Sequence, residues 1–421
     1  MPIGRTAELS VLSEIKGHPL ALYSDFRRLF AGRVVSAVGD KFFAISIAWW
    51  VLSQAGENAK FHLGLVMAVN VIPVVVFGPL LGTVADRCDK RKVMLWADAA
   101  RAALVFLLAW FLFSGNLTLA LLYGLCFAVS AFGPLFESAV AGSLVRLTSL
   151  EKLSQAVAAD SSVMQVSNVI GSALGSVLMA VIGVAGAFAF NAVSYLVSFA
   201  AVFSIKKSLA PGIGSGASFW TQFKDGLSYI FRNKPVLALI TAFAAFNFFV
   251  GPILIIIPML VKFTLKAGVA WLAVFETFFA LGSTLVSVLL SFKKSYRNIY
   301  GWFFVSLLLM GLSFLGLYFT DNRYVMCALL SAAGSALGLG NAVALTLFQH
   351  TVPEEMKGRF FAVLTTLCYA VLPLTFMLNG ALADIFSPGL SILLNSCAVL
   401  ALSFAVLFLP RIEMKMGGLK V

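Results

Sequence analysis

The sequence predicts an all-α protein that crosses a membrane about twelve times, and three observations support this fold class. Of the 421 residues, 61% are hydrophobic and only 11% are charged, whereas a soluble domain carries about 25% charged residues. Apolar stretches of about 20 residues, the length that spans a bilayer core, recur along the whole chain. Lys and Arg are concentrated in alternate connections between these stretches. Lipid is therefore the expected main solvent of the folded chain.

Twelve apolar windows define the expected helices, six on each side of a polar connection. They lie near 28–53, 62–85, 93–113, 117–145, 153–180 and 184–204, and then near 236–261, 268–291, 299–319, 323–348, 359–384 and 389–409. The predicted domains are an N-terminal segment 1–27, a six-helix bundle 28–204, the connection 205–235, a second six-helix bundle 236–409 and a tail 410–421. Within the connection, 211–216 is a Gly-rich linker, and the aromatic and charged stretch 219–231 fits a helix in the membrane interface.

The distribution of basic residues predicts the orientation. Cytoplasmic loops of membrane proteins carry an excess of Lys and Arg. If both termini are cytoplasmic, 24 of the 30 basic residues fall on that side, and Lys60, Lys262, Lys266 and Arg323 fall on the other. We therefore expect a multi-pass protein of the inner (plasma) membrane with both termini in the cytoplasm. The net charge of +12 is explained without a nucleic-acid partner.

The two halves have the pattern of a repeat. A shift of about 207 residues places Asp40 over Asn247, and a shift of about 206 places Asn70 over Glu276. Each half has six expected helices and begins on the same side, as in a parallel repeat. Each half thus supplies one acid and one amide at matching depth.

The loop after the second expected helix carries the most specific local pattern, over residues 82–92. Gly82 lets another helix approach closely, Asp86 can cap the next helix, and the following Lys and Arg residues suit a cytoplasmic face. A simple interpretation is a positively charged anchor of the loop.

The same loop resembles the major facilitator superfamily, whose signature here is Gly-x-x-x-Asp-Arg-x-x-basic-basic. Asp89 departs from the pattern, because Gly or Asn is common at that place. In that family the motif is a cytoplasmic gate between the two halves, so the resemblance implies a gate role for these residues. The matching positions are Gly82, Asp86, Arg87, Lys90 and Arg91.

Other segments narrow the resemblance to the macrolide-efflux and enterobactin-exporter branch. They are 48–50, 97–102, 226–235 and 352–359. This resemblance implies proton-coupled export of an amphiphilic small molecule of the drug, macrolide or siderophore class. One departure is that 171–176 lacks the Pro of the Gly-Pro-x-x-Gly-Gly pattern that exporters often carry. Gly171 and Gly175 still allow close helix packing.

Ionisable residues inside predicted spans are the candidates for coupling to protons. A charged side chain near the centre of a membrane helix costs about 2.5–3.5 kcal/mol on insertion into the bilayer. An ionisable residue that is present there is therefore expected to have a role. Asp40, near the middle of the first helix, is the leading candidate for proton binding, with a buried structural salt bridge as the alternative. Glu276 is the second candidate, and Asn70 and Asn247 are expected beside the two acids in a central cavity.

Four other charged residues in the spans have structural explanations. Asp98 and Arg101 are three residues apart on one helix and are expected to pair with each other or with the gate. Glu137 and Asp160 lie near the cytoplasmic ends of their helices, where water and loop bases can satisfy them.

The sequence indicates a secondary transporter and not an enzyme. It has no phosphate-binding loop of the Gly-x-x-x-x-Gly-Lys type and no His-Glu-x-x-His, and its five cysteines are scattered, so no cofactor or metal is expected. The expected partners are the lipid bilayer, protons and a small amphiphilic substrate, and the expected functional unit is a monomer. Two alternatives stay open: a lipid or lysophospholipid flippase, and a membrane-embedded enzyme or accessory subunit.

Overall fold

The structure is a computed structural model that describes residues 17–210, 219–291, 298–408, 415–416 and 419–420. The first half contains α1 (Ser24–Gln54), α2 (Ala59–Arg87), α3 (Lys90–Phe113), α4 (Leu119–Leu147) and α5 (Leu153–Phe203). The second half contains α6 (Phe219–Arg232), α7 (Lys234–Val250), α8 (Ile253–Met259), α9 (Val269–Ser291), α10 (Ile299–Phe319), α11 (Arg323–Thr351), α12 (Glu354–Ile385) and α13 (Pro388–Val406).

Short elements complete this architecture. Helical turns lie at Pro19–Leu22, Gly56–Asn58, Leu150–Lys152 and Leu260–Thr264. Two strands of two residues each, Lys415–Met416 and Leu419–Lys420, pair antiparallel. Three predicted segments lie wholly or partly outside the described residues: 1–16 of the N-terminal segment, the linker 211–216 and most of the tail 410–421. The all-α fold class is confirmed.

Eleven helical stretches of the described residues are long and apolar enough to cross a membrane. The difference from the expected twelve lies in α5, which joins the predicted spans 153–180 and 184–204. Within it, Gly183 has a φ of 69°, which glycine adopts without the steric cost that a Cβ brings. The predicted boundary is therefore a break inside one long helix, and Val181–Phe203 is the part that qualifies as a span.

Contacts divide the chain into two compact units. The first comprises Met1–Ala44, Val76–Gly171 and Ile182–Ser215, and the second comprises Ile45–Val75, Ser172–Val181 and Gly216–Val421. Parts of α1, α2 and α5 therefore pack with the second half of the chain. The grouping of the helices into two six-helix bundles stays a prediction.

The buried core of the first unit packs four helices against each other. It lies near the helix ends that carry basic residues. Phe26, Met94, Phe136, Leu144 and Val202 are all buried within it. These side chains come from α1, α3, α4 and α5, so apolar packing fixes the mutual positions of the helices that carry the polar residues described below.

Small residues let α9 and α11 cross at backbone contact in the second unit. A Cβ built on Gly334 would lie 1.9 Å from the carbonyl oxygen of Phe279, and one on Gly282 would lie 2.0 Å from that of Ser331. Ser335 Oγ donates a hydrogen bond to Gly282 O at 3.3 Å. In lipid, where apolar side chains gain little by associating, such close packing holds helices together.

We expect Gly334→Ala to destabilise the protein, although Ala is the better helix former. The backbone of α9 must move to admit the methyl group, and overpacking of this kind costs about 1–3 kcal/mol. Gly124→Ala in α4 is the matched control, because a Cβ there meets nothing within 4 Å. It should gain up to about 1 kcal/mol from helix propensity. The measurement is the thermal unfolding of both variants in detergent, and equal midpoints would contradict the packing argument.

A buried polar network connects α12 and α13 in the same unit. Asn379 Oδ1 accepts hydrogen bonds from Ser391 Oγ at 2.6 Å and from Asn395 Nδ2 at 2.5 Å. Thr375 Oγ1 extends the network by donating to Phe248 O at 2.5 Å. Polar side chains that satisfy each other in this way hold helices in one register.

Candidate functional site

Asp40 lies where α1 crosses the Val181–Phe203 part of α5. The preceding residue, Gly39, allows the approach, because a Cβ there would lie 2.2 Å from Ser194 Oγ. Tyr195 donates its hydroxyl hydrogen to Asp40 Oδ1, and Asn191 Nδ2 makes a longer contact of 3.5 Å to the same oxygen. Asp40 as a whole residue is half-buried, and both of these hydrogen bonds use one oxygen, so among the residues that the structure describes its other oxygen accepts none.

A buried ion pair adjoins this acid. Arg101 Nη2 donates to Asp98 Oδ1 at 2.5 Å, and both side chains are almost fully buried. The Arg101 guanidinium stacks on the rings of Tyr195 and Phe136, each at 4.5 Å from the ring centroid. Tyr195 therefore contacts both the ion pair and Asp40. We refer to Asp40, Asp98, Arg101, Asn191 and Tyr195 as the Asp40 cluster.

The Asp40 cluster has the charge and the hydrogen-bonding capacity to take up a proton. Its two carboxylates and one guanidinium carry one net negative charge, which one bound proton neutralises. Asp98 Oδ2 and Arg101 Nε are buried and have no hydrogen-bond partner among the described residues. Buried polar atoms without partners are rare and mark places where water or another polar group completes the network.

The other predicted cavity residues lie in the second unit. Ser172 Oγ is 3.5 Å from Glu276 Oε2, so the acid of α9 faces the Ser172–Val181 part of α5. Asn247 uses its amide locally, donating to Phe243 O at 2.8 Å in its own helix. Asn70 is half-buried in α2. Asp40 thus belongs to the first unit, and Glu276, Asn247 and Asn70 belong to the second.

The predicted gate residues surround the junction of α2 and α3. Gly82, Asp86 and Arg87 lie in the last turns of α2, and the side chain of Asp86 lies outside the described part. The expectation that Asp86 caps the next helix is wrong, because α2 continues through Arg87. Asp89 is the cap: its side chain accepts hydrogen bonds from Arg91 N at 2.9 Å and Lys92 N at 3.2 Å.

Two basic residues of this motif contact the end of α5 and the segment that follows it within the first unit. Lys90 is buried, and its backbone amide donates to Leu209 O at 3.1 Å. Arg91 donates to Phe203 O and stacks on the Phe203 ring at 5.5 Å. Cations are stabilised at a helix C-terminus by its unpaired carbonyl oxygens and its dipole. Asp98 and Arg101 pair with each other, and both belong to the Asp40 cluster.

Arg33 joins three helices of the first unit through two carboxylates. It contacts Asp160 at 2.5 Å and Glu137 at 2.8 Å, and its own side chain is 6% exposed. The basic partner of both acids is therefore a residue of α1. This helical partner stands where loop bases were expected, and the structural role of Glu137 and Asp160 stays a prediction.

A contact between α2 and α12 in the second unit joins the two halves of the sequence. Asp384 accepts hydrogen bonds from the backbone amides of Lys60 at 3.3 Å and Phe61 at 2.6 Å. Lys60 Nζ lies 3.4 Å from Asp384 Oδ1 and donates to Ala383 O at 2.9 Å. The amides of a first helical turn have no partner within their helix, so Asp384 caps α2 from another helix. We call this the Lys60–Asp384 contact.

Sequence reasoning missed both Tyr195 and Asp384. A signal for the first was present, because Asn191, Ser194, Tyr195 and Ser198 follow helical spacing and form a polar stripe in an apolar span. No comparable signal exists for Asp384, since it binds mainly the backbone of a helix more than 300 positions away.

The comparisons with known proteins agree with this architecture. The family model described as "Transmembrane secretion effector" matches residues 18–417. Macrolide efflux protein A of Streptococcus pyogenes is 21% identical over 367 residues, covering 85% of this chain and 89% of that protein. A putative bacilysin exporter of Bacillus amyloliquefaciens is 28% identical over 351 residues, covering 82% and 86%.

Solved structures show the same fold. The crystal structure of the nucleoside transporter NupG matches with a TM-score of 0.75 at 13% identity, over 91% of this chain and 98% of that one. The D-xylose-proton symporter matches with a TM-score of 0.73 at 14% identity, over 92% and 98%. Both the relatives and the fold are those of transporters, so the alternative of a membrane-embedded enzyme is set aside. The chain belongs to the transmembrane secretion effector family of major facilitator transporters.

Proposed function

We propose that the protein exports a hydrophobic or amphiphilic small molecule and couples this export to the inward movement of protons. The names of the relatives, a macrolide efflux protein and a putative bacilysin exporter, support export as the direction. The single structural observation that carries the coupling is Asp40, a half-buried acid in the middle of α1 whose hydrogen bonds are all accepted by one oxygen among the described residues.

The Asp40 cluster gives this proposal a mechanism. Tyr195 and Asn191 hold Asp40 Oδ1, and Arg101 is held by Asp98, so the second oxygen of Asp40 takes the proton. A proton gradient drives transport only if proton and substrate bind alternately to states that face opposite sides. The Lys60–Asp384 contact closes one side in this scheme, and its parting opens that side.

We also propose that the protein lies in the cytoplasmic membrane as a monomer with both termini inside. The support is the sequence bias that assigns 24 of the 30 basic residues, among them Lys90, Arg91 and Arg232, to the loops of one side. Reporter fusions at residue 210 and at the C-terminus should both be active only with a cytoplasmic reporter. A periplasmic signal at either position would overturn the orientation.

A panel of compounds tests the proposed export. Drug-sensitive bacteria that produce the wild-type protein should tolerate more of at least one macrolide, apolar peptide or siderophore than cells without it. They should also accumulate less of that compound, and a proton uncoupler should abolish the difference. The Asp40→Asn variant, produced at the same level, is the control and should confer no tolerance. Equal accumulation of every compound with and without the protein would contradict the proposal.

A further inference from the structure

Two adjoining cavities lie at the start of α7, and both are lined by Lys234. The first has a volume of about 810 Å³ and is lined by residues that include Asp225, Tyr229, Arg232 and Arg359. The second, of about 480 Å³, runs between α7 and α13 and is almost entirely apolar. A polar cavity and an apolar one that share a lining Lys have the chemistry of a site for a molecule with a charged head and a hydrocarbon tail.

The polar cavity carries a net positive charge. Arg359 Nη1 pairs with Asp225 Oδ2 at 3.0 Å, which leaves Arg232 and Lys234. Both are exposed, and neither forms an ion pair with the residues that the structure describes. The N-terminus of α7 opens into the same place, where Asn233 caps it through Val236 N, and a helix dipole there favours an anion.

The apolar cavity follows one face of α7. Lys234, Leu237, Ala238, Thr241 and Ala245 repeat at helical spacing along it, and Leu402 of α13 lines the other side. From Lys234 to Ala245 the helix rises about 16 Å, which matches half of a hydrocarbon core about 30 Å thick. The cavity thus has the length of one leaflet.

We propose that these cavities bind one anionic phospholipid, with its phosphate between Arg232 and Lys234 and an acyl chain along α7. Basic pockets between membrane helices recognise anionic head groups by charge. The helix α6 is held in place for this role, because Gly226 lets it contact α12: a Cβ at Gly226 would lie 2.7 Å from Arg359 O. The apolar cavity favours a lipid over a soluble phosphate, because a soluble phosphate has no hydrocarbon chain to place in it.

Lipid titration of the purified full-length protein, followed by native mass spectrometry, tests the proposal. The probes are dioleoylphosphatidylglycerol and dioleoylphosphatidylcholine, with glycerol 3-phosphate as a competitor that has a phosphate but no acyl chain. One basic residue near a lipid surface changes affinity by about fivefold, so R232Q/K234Q should bind phosphatidylglycerol roughly 30-fold more weakly. Lys224→Gln is the matched control, since Lys224 is exposed on α6, the helix of Arg232, and lines neither cavity.

A second variant tests the apolar part separately. Ala238→Trp fills the apolar cavity and leaves every charge in place, so it should weaken phosphatidylglycerol binding and leave the melting temperature of the lipid-free protein near that of the wild type. Three results would each overturn the proposal: wild-type affinity in R232Q/K234Q, equal affinity of the wild type for the two lipids, or displacement of the lipid by glycerol 3-phosphate.

Discussion

Replacement of Asp40 by Asn is expected to abolish uphill, proton-driven export while downhill exchange of substrate persists. The amide keeps the size of the side chain and accepts the Tyr195 hydrogen bond through its oxygen, but it cannot take up a proton. Coupling is therefore lost and the pathway is kept. The measurement uses proteoliposomes with an imposed pH gradient and compares accumulation with counterflow.

The control for this experiment is Glu276→Gln, the equivalent change at the other acid candidate. Glu276 contacts Ser172 in the second unit, and we expect its loss to slow transport without uncoupling it. If accumulation survives in Asp40→Asn at the wild-type rate, Asp40 is structural. If Glu276→Gln instead abolishes accumulation, Glu276 carries the proton.

The second large effect is expected at the Lys60–Asp384 contact. Asp384→Ala removes the acceptor of two backbone amides and of the Lys60 ammonium group. Gly64 and Gly380 lie against each other beside it, with a Cβ on Gly380 placed 3.4 Å from Gly64 Cα, so the helices touch there with few side chains between them. Hydrogen bonds to a charged group contribute about 1.5–3 kcal/mol each, so the loss of even one of these contacts should shift the open-to-closed ratio by roughly 10- to 150-fold.

Spin labels at Glu57 and Phe386, both exposed beside the contact, report this shift as a longer interspin distance. Glu354→Ala is the matched control: it removes an acid whose pairing with Lys357 is largely exposed, and such pairs contribute little. The same distance distribution in Asp384→Ala as in the wild type would show that the contact does not control opening.

The fold was predictable because its main determinant, the length and apolarity of the spans, is local. Eleven of the expected helices appear as spans among the described residues. The twelfth, 153–180, is helical as the first part of α5, and a positive φ at Gly183 stands where the sequence predicts a loop. The assignment of the cap between α2 and α3 failed for a reason that is also local. Asp86 and Asp89 are both of a residue type that caps helices. Because α2 continues through Arg87, only Asp89 lies at the cap position of α3.

The candidate site was predictable only in part, because its contacts are not local. Asp40 stood out as an acid in an apolar span, but its partners Tyr195 and Asn191 lie more than 150 positions away. Arg101 was expected to pair with Asp98 or with the gate, and the structure pairs it with Asp98 and stacks it on Tyr195. Which helix faces meet depends on small residues such as Gly39, and the sequence does not show which partner a glycine admits.

The most direct test of proton-coupled export records protons and substrate together. Wild-type protein is reconstituted into vesicles that enclose a pH-sensitive dye, and a gradient of a compound identified in the resistance panel is imposed without a pH gradient. Our account predicts that substrate moving in one direction drives protons in the other, and that Asp40→Asn moves substrate with no change in internal pH. Substrate movement by the wild-type protein with an unchanged internal pH would contradict it.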